Sequence, residues 1–286
     1  MPLFGSHLSV AGGLHKAAQT AADLDLSAVQ IFTKNNHRWA AKPLTEEAIA
    51  EWKTARDAAG LRFACSHASY LINLATPGAE LREKSIAAMV DELQRADALG
   101  LAGVVVHPGS HVKSGEDAGL SAAASAVTEV LERAAGGSCG LWLENTAGQG
   151  TNLGHRLSHL GAILAGVPAK LRKRIGVCFD TCHAFAAGYD LRDDGEYDRT
   201  LEELDEEVGL SRLACLHVND SKGGLGSRID RHEHIGEGEL GDDGFRRLMN
   251  DPRFKETAFL LETPKKDRDG VPWDTINVQR LQSLSD

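Results

Sequence analysis

Nine histidine, aspartate and glutamate residues, far apart in the chain, end or directly follow short apolar runs. Imidazole and carboxylate groups without a thiolate are ligands that suit zinc, and also manganese or iron. Nine ligands exceed what one tetrahedral ion needs, so a set that shares a bridging carboxylate suits two or three ions. Clusters of this kind are typical of phosphoester hydrolysis. The nine are His67, His107, Glu144, Asp180, His183, His217, Asp230, His232 and Glu262.

Eight apolar runs must position these side chains. Each run is almost continuously apolar, which is typical of a parallel strand buried on both faces. Amphipathic stretches with helix start and stop signals separate the runs, so the pattern predicts a closed (β/α)8 barrel. An open doubly wound sheet is the alternative, but the first run lacks the glycine-rich phosphate loop common there. The runs are Leu3–His7, Ala28–Phe32, Arg62–Ser66, Gly103–His107, Gly140–Glu144, Ile175–Asp180, Leu213–Val218 and Thr257–Glu262.

Four of the intervening helices have recognisable ends. Each is followed by glycine, which commonly ends a helix. No linker divides the chain, and we expect residues 1–286 to form a single barrel domain. The polar, glycine-rich segment Ser221–Gly241 is interpreted as an active-site loop after the seventh strand. The predicted helices run from the capping residue Thr45 to Ala59, over Leu81–Leu99, over Ser121–Ala135 and over Thr151–Ala165.

Repetition, rather than any single residue, carries the metal hypothesis. One histidine after an apolar strand is usually a hydrogen-bonded core residue, and one glutamate is usually a salt-bridge partner. Here six of the eight strands place such a group at the same end of one barrel, the end that forms active sites in this architecture. Four carboxylates clustered there without cations would repel each other and lose hydration, and few Lys or Arg residues lie at the same ends.

Composition limits the alternatives. The chain has 286 residues with 42% hydrophobic and 25% charged residues, as in an ordinary globular protein, and it has no apolar run long enough to cross a membrane. Its five scattered cysteines are interpreted as buried thiols of a reducing compartment, so we expect a cytoplasmic protein. The net charge of −10 argues against binding to nucleic acid, although bound divalent cations would offset part of it.

At this point the motifs resemble a known family from end to end. The chain is similar to endonuclease IV, the zinc-dependent apurinic/apyrimidinic endonucleases, also called deoxyribonuclease IV. The matching motifs are too many and too specific to have arisen by chance. The motifs are Gly5–Ser9, Gly12–Leu14, Ile31–Asn35, His67–Leu74, Val106–Ser110, Leu143–Gly150, Cys178–His183, His217–Lys222, Asp230–Gly236 and Leu261–Pro264.

The resemblance implies how the ligands are shared among three zinc ions. His67 and His107 would hold the first ion, Glu144 would bridge it to the second, and Asp180, His217 and Glu262 would complete the second. The third would be held by His183, Asp230 and His232, and manganese is an alternative at one or more sites. The implied activity is cleavage of double-stranded DNA 5′ to an abasic site, which leaves a 3′-hydroxyl and a 5′-deoxyribose phosphate, together with trimming of blocked 3′ ends. Glu144 and Glu262 would be the catalytic carboxylates.

The resemblance also implies how damaged DNA is held. Tyr70 and Leu71 would wedge into the duplex, as apolar side chains do in kinked DNA. After the second strand the family often has an arginine where this chain has His37 followed by Arg38, so either residue could insert there. We expect a monomer without an obligate protein partner. Further expected phosphate or sugar contacts are Lys34, Asn35, His111, Lys113, Lys222 and Arg231.

Two other functions remain open at this point. A barrel sugar isomerase or epimerase also uses Glu, Asp and His with divalent metal at strand ends, but it needs only one or two ions. It would leave the Asp230/His232 pair and the Tyr70–Leu71 loop without a role. A non-enzymatic damage-binding or metal-storage protein is the second alternative, although none of the nine ligands is missing.

Overall fold

Eight parallel strands close into a barrel, which confirms the predicted architecture. The computed structural model describes residues 2–285. All eight predicted runs form strands, and no observed strand end lies more than one residue from its predicted position. The strands are β1 Leu3–His7, β2 Ala28–Ile31, β3 Phe63–His67, β4 Gly103–Val106, β5 Gly140–Glu144, β6 Ile175–Asp180, β7 Leu213–His217 and β8 Ala258–Leu261. They pair in the order β1-β8-β7-β6-β5-β4-β3-β2, and β1 also pairs with β2.

Helices surround the barrel and connect its strands. The Thr45 side chain accepts a hydrogen bond from the Ala48 amide at 3.1 Å, so Thr45 caps its helix as predicted. Gly100 ends another helix in the left-handed region, with φ of 70°. The helices are α1 Leu14–Asp23, α2 Glu46–Ala58, α3 Ala79–Leu99, α4 Glu116–Arg133, α5 Leu157–Gly166, α6 Thr181–Ala187, α7 Asp194–Glu207, α8 Gly241–Asn250 and α9 Trp273–Ser283.

Two predicted helix starts are wrong. Helix α4 begins at Glu116, five residues before the predicted Ser121, and includes Gly119, where a Cβ atom would lie 2.5 Å from His111 Cβ. Helix α5 begins at Leu157 rather than Thr151, because several backbone groups of residues 151–156 hydrogen-bond to other loops and not to each other in the helical pattern. The Leu153 amide, for example, donates to the Gly109 carbonyl at 2.8 Å. Tertiary hydrogen bonds therefore replace the first turns of the predicted helix.

The barrel interior is packed and apolar below the ligand-bearing rim. Trp142 fills its lower part, where a Cβ atom on Gly103, Gly140 or Gly176 would lie only 2.1, 2.3 or 2.6 Å from the indole. These glycines make room for the ring, as the close packing of a protein interior requires. All five cysteines are free and buried, as the sequence predicted.

The segment after β7, for which the sequence predicts an active-site loop, is ordered by hydrogen bonds. Asp220 and Ser221, where the segment begins, pair with His232 and Glu233 in a short antiparallel ladder. The buried Asp220 carboxylate accepts hydrogen bonds from the amides of Gly236, Gly238 and Leu240 at 2.9–3.1 Å. Among residues 2–285, no helix combines the length and apolar character needed to cross a bilayer.

Candidate metal centre

The first ligand group lies where β3, β4 and β5 end. The Nε2 atoms of His67 and His107 lie 3.2 and 3.1 Å from the same Glu144 oxygen, Oε2. Glu144 is fully buried at the end of β5, and His67 is nearly so at the end of β3. Their donor atoms lie within 4.8 Å of one another, which is close enough to share one ion.

The second group lies on the other side of Glu144. His217 Nδ1 is 2.9 Å from Glu144 Oε1, 3.2 Å from Glu262 Oε2 and 3.9 Å from Asp180 Oδ2. Asp180 and His217 are register partners on β6 and β7, so the barrel places them at the same level. Glu144 therefore turns one carboxylate oxygen towards each of the two groups.

The third group joins helix α6 to the loop after β7. His183 Nε2 lies 3.3 Å from Asp230 Oδ1, and His232 Nε2 lies 3.5 Å from the same oxygen. His232 Nε2 is also 3.7 Å from Asp180 Oδ2, so this group adjoins the second. The structure thus brings all nine candidate ligands together in three adjoining groups at one rim of the barrel.

Hydrogen bonds outside the centre fix which nitrogen each histidine turns inward. The Nδ1 atoms of His67 and His183 lie 2.7 and 2.9 Å from the carbonyls of Ala68 and Asn145. A carbonyl only accepts, so each Nδ1 carries a proton, and in the neutral ring Nε2 presents a lone pair to the carboxylates. Metal-bound histidines in proteins are oriented in this way.

The same pattern holds at His232. Its Nδ1 faces the Glu262 carbonyl at 3.3 Å, and its Nε2 is buried without a hydrogen-bond partner in the described part of the chain. A buried polar atom without a partner is costly, so the position calls for a ligand. Lone pairs and carboxylate oxygens facing each other across a few ångströms are a donor set for divalent cations, and these residues fit them.

The electrostatics of the centre also fit a cation site. Burial raises the pKa of Glu144, but the nearby His217 and His107 outweigh burial and hold this pKa well below its usual value. Burial lowers the pKa of His217, whereas Glu262 and Glu144 raise it more strongly, to about 10. Glu144 therefore stays ionised and attracts positive charge. Without metal, His217 beside it holds a proton on each ring nitrogen, and an ion bound at Nδ1 must displace the proton there.

Three amide side chains that sequence reasoning did not single out hold the ligands in place. Asn219 donates to Asp180 Oδ2 at 2.8 Å and accepts from the Glu262 amide at 2.7 Å. Asn145 accepts from the Asp180 amide at 2.7 Å. Gln30, at the centre of β2, contacts both His217 and Glu262. An amide within an apolar strand, as at Gln30, or just after one, as at Asn145 and Asn219, is the signal that could have indicated these residues.

A separate group of Glu116, His155 and His159 resembles a metal site only by proximity. Its donor atoms lie within 4.8 Å of one another. However, His159 Nδ1 accepts a hydrogen bond from the Gly154 amide at 3.1 Å, so the neutral ring carries its proton on Nε2, the atom that faces Glu116. That nitrogen has no lone pair for an ion. His155 lies in a loop before α5 and His159 lies inside α5, and neither adjoins the nine candidate ligands.

The candidate DNA-contacting residues lie on loops at the same rim. The Tyr70 side chain is exposed, and its ring lies 5.3 Å from the His67 ring, beside the first ligand group. Leu71, the next residue of the same loop, and His111, after β4, are half-buried. The exposed candidates are Asn35, His37 and Arg38 after β2, Lys113 after β4, and Lys222 and Arg231 after β7.

Lys34 does not fit the expected contact with DNA. Its side chain is only 1% exposed, and Nζ lies 2.5 Å from Asp91 Oδ2 and 3.5 Å from Glu92 Oε1, both on α3. A phosphate could reach this buried ammonium only if the Lys34 side chain left Asp91 and Glu92, which would leave the buried Glu92 carboxylate without its cation. We therefore correct the expectation: Lys34 fixes the loop after β2 to helix α3.

Comparisons with known proteins agree with this architecture. Residues 18–285 match a family described as the xylose isomerase-like TIM barrel. A probable endonuclease 4 of Chloroflexus aurantiacus is 46% identical over 284 residues, which cover 99% of this chain and 98% of the relative. The crystal structure of endonuclease IV from Thermus thermophilus superimposes with a TM-score of 0.86 at 38% identity, over 99% of this chain and 98% of that chain.

An epimerase-like protein shares the fold at much lower sequence identity. The crystal structure of a D-tagatose 3-epimerase-like protein has a TM-score of 0.75 but only 21% identity, over 98% of this chain and 96% of that chain. At this identity the likeness shows the barrel and nothing more. The probable endonuclease 4, by contrast, is 46% identical to this chain over nearly the full length of both proteins. This chain therefore belongs to the endonuclease IV family of DNA-repair nucleases.

Proposed function

We propose that this protein cuts DNA 5′ to abasic sites, leaves a 3′-hydroxyl and a 5′-deoxyribose phosphate, and trims blocked 3′ ends with a site of three zinc ions. The observation that supports this proposal is that nine imidazole and carboxylate side chains form three adjoining groups at one rim of the barrel. Family membership supports an apurinic/apyrimidinic endonuclease that acts on DNA. A site for one or two ions, as in a sugar isomerase, would need fewer ligands.

The geometry supports one distribution of ligands. We assign His67 and His107 to the first ion, with Glu144 Oε2 as their shared carboxylate oxygen. Glu144 Oε1 turns to the second group, so Glu144 is the bridging ligand. The second ion takes Asp180, His217 and Glu262, and the third takes His183, Asp230 and His232. Zinc suits this mixture of nitrogen and oxygen, and manganese is a second candidate at one or more sites.

The residues around the centre divide the chemistry between them. Divalent ions held there would lower the pKa of a bound water molecule to near neutrality. They would also neutralise charge on the phosphoryl and leaving oxygens. Glu144 and Glu262 line the space between the first two groups, where they can orient the attacking water for in-line displacement. Asp230, His183 and His232 adjoin Glu144 and Asp180, where they would hold an ion beside the departing 3′-oxygen.

Rim loops supply the contacts to DNA. An abasic nucleotide leaves the base stack more easily than a paired one, so extrusion selects for damage. Tyr70 and Leu71 project from the loop after β3 beside the first ligand group, and we propose that they fill the gap in the duplex. His37 and Arg38 are both exposed, and either side chain is a candidate for a second insertion into the duplex. Asn35, His111, Lys113, Lys222 and Arg231 are proposed contacts to the backbone of the nucleic acid.

Replacing Tyr70 with alanine tests the wedge. Because the side chain is 56% exposed, the fold should keep its stability, whereas binding to an abasic duplex should weaken by about 1–3 kcal/mol, the range known for stacking of a base on an aromatic ring. Fluorescence anisotropy with an abasic and an intact duplex measures the loss. Val112→Ala, another exposed apolar side chain of this rim, is the matched control. Equal binding by wild type and the Tyr70 variant would remove the wedge from the proposal.

Cleavage of a defined duplex tests the function itself. A labelled duplex with one tetrahydrofuran abasic analogue should be cut once, on the 5′ side of the lesion, and the product should carry an extendable 3′-hydroxyl. The intact duplex should stay whole, and prior removal of metal with a chelator should stop the reaction. Turnover of a free ketose without cutting of the lesion would favour the epimerase alternative, and binding without cutting in the presence of zinc would favour a binding module.

The proposal also covers the cellular location and the state of assembly. We propose that the protein works as a monomer in the bacterial cytosol, without an obligate protein partner. Its five thiols are unpaired and buried, which is typical of a reducing compartment. We also propose that residues 1–286 form one domain, because the barrel strands run from Leu3 to Leu261 without a linker. Sedimentation equilibrium measures the state of assembly directly.

A further inference from the structure

Gln30 is a fully buried amide directly beside the metal-ligand groups. It lies on β2, where it is the register partner of His7 on β1, and its side chain points into the barrel. A neutral amide in an apolar strand costs free energy unless its hydrogen bonds are made. Gln30 makes them, and its partners include two of the proposed ligands of the second ion.

The orientation of the amide group is fixed by chemistry. The Gln30 nitrogen lies 2.7 Å from Glu262 Oε1, and a carboxylate can only accept, so the atom there must be the donating NH2 group. The amide oxygen is therefore the atom 2.9 Å from His217 Nε2, and this ring nitrogen must carry a proton to donate to it. The Cys65 thiol also donates to this oxygen, at 3.5 Å.

One consequence falls on His217 and the other on Glu262. With its proton fixed on Nε2, His217 can offer only Nδ1 to an ion, and Nδ1 is the atom 2.9 Å from Glu144 and 3.2 Å from Glu262 Oε2. Glu262 Oε1 is occupied by Gln30 and by His7 Nδ1 at 2.9 Å. Its other oxygen, Oε2, is left to face the centre.

We propose that Gln30 is a positioning residue that fixes the tautomer of His217 and the rotamer of Glu262, and so pre-forms the second zinc site. This inference rests on the proposed function, since it concerns the same centre. A single amide orients two ligands of one ion from the side away from the ion. Loss of hydrogen-bond partners of this kind typically weakens metal binding or activity by about 10- to 100-fold.

Gln30→Met tests the role because methionine fills similar space without hydrogen bonds. We expect the variant to bind one of its zinc ions about 10- to 100-fold more weakly than wild type, as measured by competition with a chelator. The other two ions should be retained. The value of kcat for an abasic duplex should fall, with KM little changed, because Gln30 is buried and does not reach the DNA. Ser66→Ala is the matched control: Ser66 is equally buried on neighbouring β3, and its hydroxyl has no partner in the described chain.

The outcomes separate this inference from the proposed function. If wild type neither binds zinc nor cuts abasic DNA, the proposed function fails. If wild type does both, and Gln30→Met keeps zinc as tightly as wild type and Ser66→Ala, the positioning role is wrong. Should the methionine variant not fold, ¹⁵N spectra of the histidines in zinc-loaded wild type decide the question. A proton on His217 Nε2 supports the inference, and zinc on that nitrogen overturns it.

Discussion

Glu262→Gln should nearly abolish DNA cleavage while leaving binding to a damaged duplex intact. The amide has the size of the carboxylate but lacks its charge, and Glu262 faces His217 at 3.2 Å within the second ligand group. Losing the charge weakens the second ion and removes a group that orients the nucleophile, whereas the exposed rim loops are unchanged. The loss of one pre-positioned electrostatic group typically costs about 10²- to 10³-fold in kcat, and loss of metal would add to it.

Two assays on one oligonucleotide measure this effect. Single-turnover cleavage gives the chemical rate, and anisotropy with the same abasic duplex gives the dissociation constant. Glu239→Gln is the matched control, because Glu239 is an exposed carboxylate of the loop after β7 that belongs to no ligand group. A Glu262→Gln enzyme that cuts as fast as wild type would refute the assignment of Glu262, and a comparable loss in Glu239→Gln would show that general charge accounts for the effect.

The barrel could be predicted because its signal is local. Continuously apolar runs bounded by glycine and polar residues mark strands buried on both faces, and all eight appear where predicted. The starts of α4 and α5 could not be predicted in the same way. Gly119 inside α4 reflects the approach of His111, and residues 151–156 leave the helix for hydrogen bonds to other loops. Tertiary contacts decided both boundaries, and a single sequence carries no record of them.

The candidate centre divides along the same line. Residues of metal-ligand type at strand ends are visible in sequence, because parallel strands of a barrel end at one rim. Which residues hydrogen-bond to these ligands is not visible in the sequence, because Gln30 lies 187 residues from His217 and 232 residues from Glu262. Lys34 shows the converse: a basic residue in a rim motif suggested a phosphate contact, but its carboxylate partner Asp91 lies 57 residues away on α3.

Part of the negative charge of the chain is concentrated in the ligand groups. Four of its carboxylates belong to the ligand groups, where burial and neighbouring histidines keep Glu144 and Glu262 ionised. Bound divalent cations would invert the sign of the charge at this rim. A net charge of −10 therefore describes the whole chain and not the surface that faces DNA.

Asp230→Asn should remove the third ion and slow cleavage strongly. Asp230 is the carboxylate shared by His183 and His232, at 3.3 and 3.5 Å, and those histidines hold its pKa below its usual value after burial has raised it. An amide oxygen is a weaker ligand without charge, so stabilisation of the departing 3′-oxygen should be lost, at a cost of about 10²-fold or more in kcat. The fold should survive, because the side chain lies on a loop and is 33% exposed.

Elemental analysis of purified protein tests most directly whether the nine side chains jointly hold three ions. Wild type dialysed against metal-free buffer should retain about three zinc ions per chain, because each ion takes about four ligands and water can complete a set of three side chains. Asp230→Asn should retain about two, because the third ion loses its carboxylate. Absence of stoichiometric transition metal from wild type, or an identical metal content in the two proteins, would contradict the account.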